Sequence, residues 1–264
     1  MKYYRPKTFD ELYSISENNS ILFVGGTDLI PRYERGKMLP EAIIDLKKLP
    51  DFNEIKKVNN NIEIGAGTTI EKIKNNEIIK NHFNALFQST LDFGSVQIRN
   101  RATIGGNICN ASPAGDTLPS LYALDAKLLL RNKSGEQTIP IDEFILGPGK
   151  ANLRKDEILL KVIIPLKSSK SMFYKLGLRE AMAISVINFA IVYDEKRLTI
   201  AIGAVASTII KLTRLKELNI DQILEKVDSA ISPIDDIRAT ANYRRKALQN
   251  MLRFELSKIV KNNV

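Results

Sequence analysis

The segment Thr103–Asp116, TIGGNICNASPAGD, constrains the fold more than any other stretch of the chain. It packs three glycines, two asparagines, a proline and the only cysteine into fourteen residues. Turn chemistry this dense predicts a loop, not a strand or a helix interior. An apolar helical pattern follows at Thr117–Leu124, so the loop belongs to a domain and is no spacer. A second segment of the same kind, Val24-Gly25-Gly26-Thr27-Asp28, follows the apolar run Ile21–Val24. Adjacent glycines let backbone approach a ligand, and consecutive N–H groups can form a concave seat for an anion. Thr27 adds a hydroxyl to the first segment, and Thr103 and Asn107 flank the second. Two such segments suit a pyrophosphate gripped from both sides. Two tight turns without a ligand fit the spacing equally well.

The surrounding pattern mixes short strands and helices. TFDELYSISEN predicts a helix with Leu12 and Ile15 on one face. Ile21–Val24 and Ala42–Leu46 read as buried strands, and the alternation implies a small, partly parallel sheet. Ile62–Gly65 runs into Gly65-Ala66-Gly67, and Thr68-x-x-Glu71 reads as a capping box. That stretch imitates a dinucleotide-binding G-x-G-x-x-G, but Ile70 occupies the third glycine position. Gly65 and Gly67 are therefore read as turn residues. A helix over 81–91, a strand over 127–131, a hairpin through Lys133-Ser134-Gly135, a turn at 147–150 and a strand over 157–165 follow. Lys167–Ser171 reads as a linker. Beyond it, strands joined at Asp194–Arg197 and helices from Ile220 and Asp235 onward imply an antiparallel sheet covered by helices. The fold class is α+β, with domains over 1–166 and 171–264.

Side-chain inventory narrows the chemistry. The 264 residues hold one histidine, His82, and one cysteine, Cys109. Zinc sites and iron–sulfur clusters need sets of such ligands, and a nucleophilic triad would have to use His82. An enzyme of this composition relies on a bound organic cofactor. Cys109 reads as a small packing residue. Asp116 reads either as a helix cap or as an acceptor for sugar or ribityl hydroxyls. The apolar runs are too short for a membrane span, the N-terminus has no signal-peptide core, and the lone cysteine fits a reducing compartment, so the cytoplasm is expected. Formal charge is +9, with 22 Lys/Arg against 20 Asp/Glu over 1–164 and 17 against 10 over 165–264. The basic excess is C-terminal. No aromatic platform is interleaved with it, so nucleic acid is not the expected partner. A solvated surface, or a face for an acidic protein or an anionic ligand, remains.

These residues carry a resemblance. YYRPKTFDEL, FVGGTDLIP, IEIGAGTTI, QIRNRATIGGNICNASPAGDTLPSLYALDAKL, DEILLKVIIP and YKLGLREAMAISVIN resemble the FAD-binding (medium) subunits of the molybdenum hydroxylases, the xanthine and carbon monoxide dehydrogenase family. The resemblance implies a PCMH-type FAD-binding domain of two α/β subdomains, then a smaller α+β domain. By motif position it implies that Leu22, Phe23, Val24, Gly25, Gly26, Thr27, Asp28 and Leu29 wrap the FAD pyrophosphate and its surroundings. Thr103, Gly105, Gly106 and Asn107 would face them, and Asp116 would hold cofactor hydroxyls. Phe93 would lie beside the isoalloxazine, Leu159 or Leu160 would pack on the cofactor, and Lys175 would approach the flavin end. The implied partners are a molybdenum-cofactor large subunit and a [2Fe-2S] small subunit, in a dimer of heterotrimers. Electrons would pass from those clusters through FAD to NAD in a xanthine or purine dehydrogenase. Carbon monoxide, an aldehyde, nicotinate or an aryl-CoA are alternative substrates, and a non-enzymatic binding module is the reading from a different class. The chain is short for the family and lacks a cysteine-rich insertion.

Overall fold

The computed structural model describes residues 1–15, 19–36, 40–215, 217 and 219–261. Three sheets and a two-stranded ribbon form the frame. The first sheet is parallel: β1 (Lys2–Tyr4), β2 (Ser20–Phe23) and β3 (Ala42–Asp45) lie in the order β1-β3-β2. Parallel neighbours need crossovers. Here α1 (Phe9–Ser14) and α2 (Leu29–Glu34) lie in the two connections. Thr8 caps α1 by accepting the Glu11 N–H. The end of the helix expected over 8–18 falls on residues 16–18, outside the described residues. Asp28 occupies the cap position of α2 without capping it. Its carboxylate pairs instead with Arg32, one turn on, at 2.8 Å.

The second sheet is antiparallel. It contains β4 (Ile55–Val58), β5 (Asn61–Gly65), β6 (Lys127–Asn132) and β7 (Gly135–Pro140). After the ribbon of β8 (Ile145–Gly147) and β9 (Lys150–Ala151), β10 (Ile158–Pro165) inserts centrally, giving the order β4-β5-β10-β6-β7. Six helices fill the stretch between β5 and β6: α3 (Ile70–Lys74), α4 (Glu77–His82), α5 (Asn84–Leu91), α6 (Val96–Arg99), α7 (Ile104–Asn110) and α8 (Thr117–Ala123). Several differ from the sequence expectation. The single helix expected over 81–91 is two, because Phe83 (φ −132°, ψ 61°) leaves helical geometry and drives its ring into the core. The cap of α3 is Thr69, which accepts the Lys72 N–H. Thr68 is buried, and Glu71 bonds Arg99 at 2.8 Å in place of closing a capping box.

The third sheet runs β11 (Lys170–Leu176), β12 (Ile187–Tyr193), β13 (Leu198–Gly203) and β14 (Ile210–Leu212) in antiparallel order. Side chains alternate between faces along a strand. Phe189 and Ile191 pack with α9 (Ile220–Ala230) and α10 (Ala241–Lys261) in one core, while Ala190 and Val192 join the core of the N-terminal part. Burial on both faces explains the apolar run Phe189–Tyr193 of β12. The expected linker is shorter than 167–171, since Lys170 and Ser171 already belong to β11. Ser171 is buried, and its Oγ accepts the Ala85 N–H at 3.0 Å. Much of the C-terminal basic charge is committed internally. Arg244 is buried and bonds Asp236, and Arg197 and Lys211 both reach Asp125 of the N-terminal part. Among the described residues no helix is long and apolar enough to cross a membrane.

Candidate functional site

A cleft of about 410 Å³ lies between the parallel sheet and helix α7. One wall is the run from Leu22 to Leu29, including Phe23, Val24, Gly25, Gly26, Thr27 and Asp28. Thr103, Gly105, Gly106, Asn107, Cys109 and Asn110 form the facing wall. Phe93, Phe52, Leu46, Leu153, Ile158 and Leu159 supply an apolar surround.

The first wall is built around close backbone contacts. A Cβ on Gly25 would lie 2.1 Å from the Arg101 carbonyl oxygen, so only glycine lets this loop lie against the turn that leads into α7. Gly26 takes φ +75°, a left-handed conformation that glycine adopts without strain. The backbone N–H groups of Gly25, Gly26, Thr27 and Asp28 find no hydrogen-bond acceptor among the described residues. These residues line the cleft, so a row of unspent donors lies beside it.

The facing wall differs from its sequence reading. Ile104–Asn110 is a helix, not a loop. Tertiary contacts offset the poor helix propensity of Gly105-Gly106. Thr103 caps the helix, accepting the Gly106 N–H at 3.1 Å, while the Ile104 and Gly105 N–H groups bond the carbonyls of Thr68 and Ala66. A Cβ on Gly105 would lie 2.6 Å from the Ala66 Cβ, which ties α7 to the turn after β5. Gly65 and Gly67 lie behind that turn against Asp51–Asn53, not on the cleft. Gly106 is the exposed member of the pair. A Cβ there would meet only Thr103 Oγ1, at 3.0 Å. Thr117 donates to Asn107 Oδ1 at 2.6 Å, which fixes the amide and leaves its N–H₂ unspent. Burial pushes the Cys109 thiol up to about 12, so it lines the wall as a neutral, apolar group.

The apolar end is held by buried cations. Arg99 donates to the carbonyls of Phe93 and Gly94, and Lys175 donates to that of Asp92 at 2.9 Å. A bulge at Leu159–Lys161 breaks the alternation of β10. Ile158 and Leu159 both line the cleft, while Leu160 is buried elsewhere and its carbonyl accepts the Ala66 N–H.

Asp116 and Lys175 do not line this cleft; they meet each other at 2.7 Å at the junction with the third sheet. Asp116 stands before α8 without capping it. Its carboxylate accepts from Ser185 at 2.7 Å and Asn188 at 3.3 Å. Burial pushes the Asp116 carboxyl up, and Lys175, Ser185 and Asn188 pull against that rise. The segment ahead of it is a joint between the two parts: Pro113 accepts the Ala204 N–H at 2.8 Å. TIGGN thus faces the cleft and SPAGD seats the C-terminal sheet. Among the cleft residues that sequence reasoning missed are Arg32, Asn110, Phe52 and Leu153. Of these four, only Arg32 left a local signal, its i,i+4 spacing from Asp28.

Comparison with known proteins identifies the family and the fold. The family described as the FAD binding domain in molybdopterin dehydrogenase matches residues 1–167, and the CO dehydrogenase flavoprotein C-terminal domain matches residues 172–258. The nicotinate dehydrogenase FAD-subunit of Eubacterium barkeri is 37% identical over 195 residues, 70% of this chain and 66% of that one. The glyceraldehyde dehydrogenase medium chain of Sulfolobus acidocaldarius is 30% identical over 263 residues, 94% of each chain. Quinoline 2-oxidoreductase from Pseudomonas putida 86 shares the fold, with a TM-score of 0.91 at 19% identity over 99% of this chain and 97% of that one. The chain belongs to the FAD-binding subunits of the molybdenum hydroxylase family, an α+β protein with a PCMH-type FAD-binding domain.

Proposed function

We propose that the cleft holds FAD, with the pyrophosphate on the Gly25–Asp28 amides and the isoalloxazine toward Phe93. The observation that carries this reading is the row of backbone N–H groups without acceptors at Gly25, Gly26, Thr27 and Asp28. Donors left open beside a cleft match a ligand rich in acceptors. Gly106, where a side chain would project into the cleft, faces them from the other wall. Bound FAD supplies the exchange between single electrons and a hydride. The protein orients it: Arg99 and Lys175 fix the backbone around Phe93, and Leu159 closes the apolar side. Lys175 stands one residue from Phe93, through Asp92, so we place its ammonium at the flavin end with Asp116 behind it.

In this reading the chain is the electron-transfer subunit of a xanthine dehydrogenase-type complex in the cytoplasm. It receives electrons from a [2Fe-2S] subunit that serves a molybdenum-cofactor subunit, and it reduces NAD. Two measurements test it. The purified full chain mixed with FAD acquires a bound flavin spectrum; a chain that stays colourless overturns the reading. The co-purified complex, assayed for NAD reduction with xanthine, nicotinate and glyceraldehyde, responds to xanthine first; a response to another substrate alone replaces the xanthine assignment.

A further inference from the structure

Among the described residues the cleft is lined by one basic side chain, Arg32, and one acidic side chain, Asp28. The two pair at 2.8 Å through Arg32 Nε. The Arg32 Nη2 also donates to Asn110 Oδ1 at 2.8 Å. Asp28 precedes α2 and Asn110 ends α7, so the guanidinium joins the two walls across 78 residues of sequence. Its side chain is 46% exposed and that of Asp28 52%. An ion pair this exposed adds little to stability, so holding the fold together is a poor account of it.

We propose that Arg32 is a phosphate-recognising residue of the cleft, a specificity determinant for ligands that carry a pyrophosphate. The inference rests on the FAD reading and deepens it. A guanidinium has five N–H donors in a rigid fork. Asp28 takes one and Asn110 takes one, which leaves three. Those two acceptors stand on opposite walls and fix the fork between them. The backbone donors of Gly25–Asp28 are neutral, so among the described residues Arg32 is the one side chain on the cleft that can offer a pyrophosphate charged donors. A paired guanidinium matches phosphate geometry in a way that a lysine does not. The pair also masks Asp28, whose bare carboxylate would repel the same phosphate.

The experiment uses the full chain stripped of flavin, with FAD affinity read from flavin fluorescence at about 50 mM and about 300 mM salt, either side of physiological screening. Arg32→Met binds FAD about tenfold more weakly than wild type at low salt, and the gap narrows at high salt. Arg32→Lys keeps the charge but not the fork and falls between the two. Asn110→Ala leaves the charge in place, removes one of its anchors and costs less than Arg32→Met. Equal FAD affinity in wild type and Arg32→Met at both salts overturns the assignment and leaves the FAD reading standing. A loss that is the same at both salts, and matched by Arg32→Lys, overturns it in favour of a purely structural tie. A wild-type chain that takes no FAD overturns both.

Discussion

Gly25-Gly26 and Gly105-Gly106 line the same cleft, yet their backbone N–H groups have different fates. At the first pair the amides find no acceptor among the described residues. At the second pair they are spent inside the protein, on Ala66 and on the cap hydroxyl of Thr103. The same two letters therefore make a donor row on one wall and a helix end on the other. The four glycines also differ in how closely they are packed. Gly25 and Gly105 are packed, the first against the Arg101 backbone and the second against Ala66. Gly26 is crowded as well, since a Cβ there would lie 2.6 Å from the Phe23 ring, and it takes a left-handed φ; Gly106 alone of the four is exposed. Three of the four glycines are required by packing, and Gly106 is the open one.

Substitutions can test these differences, and their expected effects on stability fall in order. The largest belongs to Gly25→Ala. Its Cβ would meet the Arg101 carbonyl oxygen at 2.1 Å and the carbon at 2.9 Å, both backbone atoms. Overpacking against backbone costs about 3 kcal/mol, which for a chain of this size lowers Tm by roughly 6–12 °C. A thermal melt within a degree of wild type would show that the two walls are not locked together at this point.

Gly105→Ala comes next. Its Cβ would lie 2.6 Å from the Ala66 Cβ and 2.7 Å from the Ala66 oxygen. Better helix propensity returns part of the loss, leaving a net cost of about 2 kcal/mol. Adding Ala66→Gly relieves the contact with the Cβ but not that with the oxygen. The double variant should recover only part of the lost Tm; complete recovery would place the strain in the side chains alone. Thr103→Ala is smaller again. It removes the cap of α7 and costs about 1 kcal/mol by thermal or chemical denaturation. It also releases the Gly106 N–H, making the second pair more like the first. An unchanged Tm would mean that tertiary bonds hold α7 without its cap.

What the sequence revealed about the cleft follows the same line. Both Gly-Gly pairs read as turns in the sequence, and both line the cleft, although the second lies in a helix. That Ile104–Asn110 is a helix was not legible. Glycine penalises a helix on its own, and the compensating acceptors on Thr68 and Ala66 lie more than thirty residues away in the chain. Adjacent threonines hid the cap of α3, since Thr68-x-x-Glu71 fits the capping-box pattern and Thr69-x-x-Lys72 does not, yet Thr68 is buried and Thr69 accepts the Lys72 N–H. Phe52 and Leu153 reach the cleft from distant strand connections that no periodicity marks. Asp116 and Lys175 read as two separate ligand-facing residues. The docking of the third sheet makes them partners, at the joint formed by Pro113 and Ala204. The α+β class and the antiparallel C-terminal sheet were legible because alternation and hairpin turns are local signals.

Gly106→Ala carries the smallest expected effect on stability and separates fold from site most cleanly. Its Cβ would meet only Thr103 Oγ1, at 3.0 Å. The hydroxyl must give by a few tenths of an ångström, while alanine gains up to about 1 kcal/mol over glycine in a helix. Net stability should stay within about 0.5 kcal/mol of wild type, read as an unshifted melt. FAD affinity should nevertheless fall, because a methyl group now occupies the approach of the ligand to this wall. Gly106→Val, with two more carbons in the same direction, should bind FAD more weakly still or not at all. A valine variant that melts like wild type and keeps its FAD affinity would show that the ligand does not approach α7 at Gly106. The second Gly-Gly pair would then be a matter of folding alone, and the donors of Gly25–Asp28 would carry the pyrophosphate from one side.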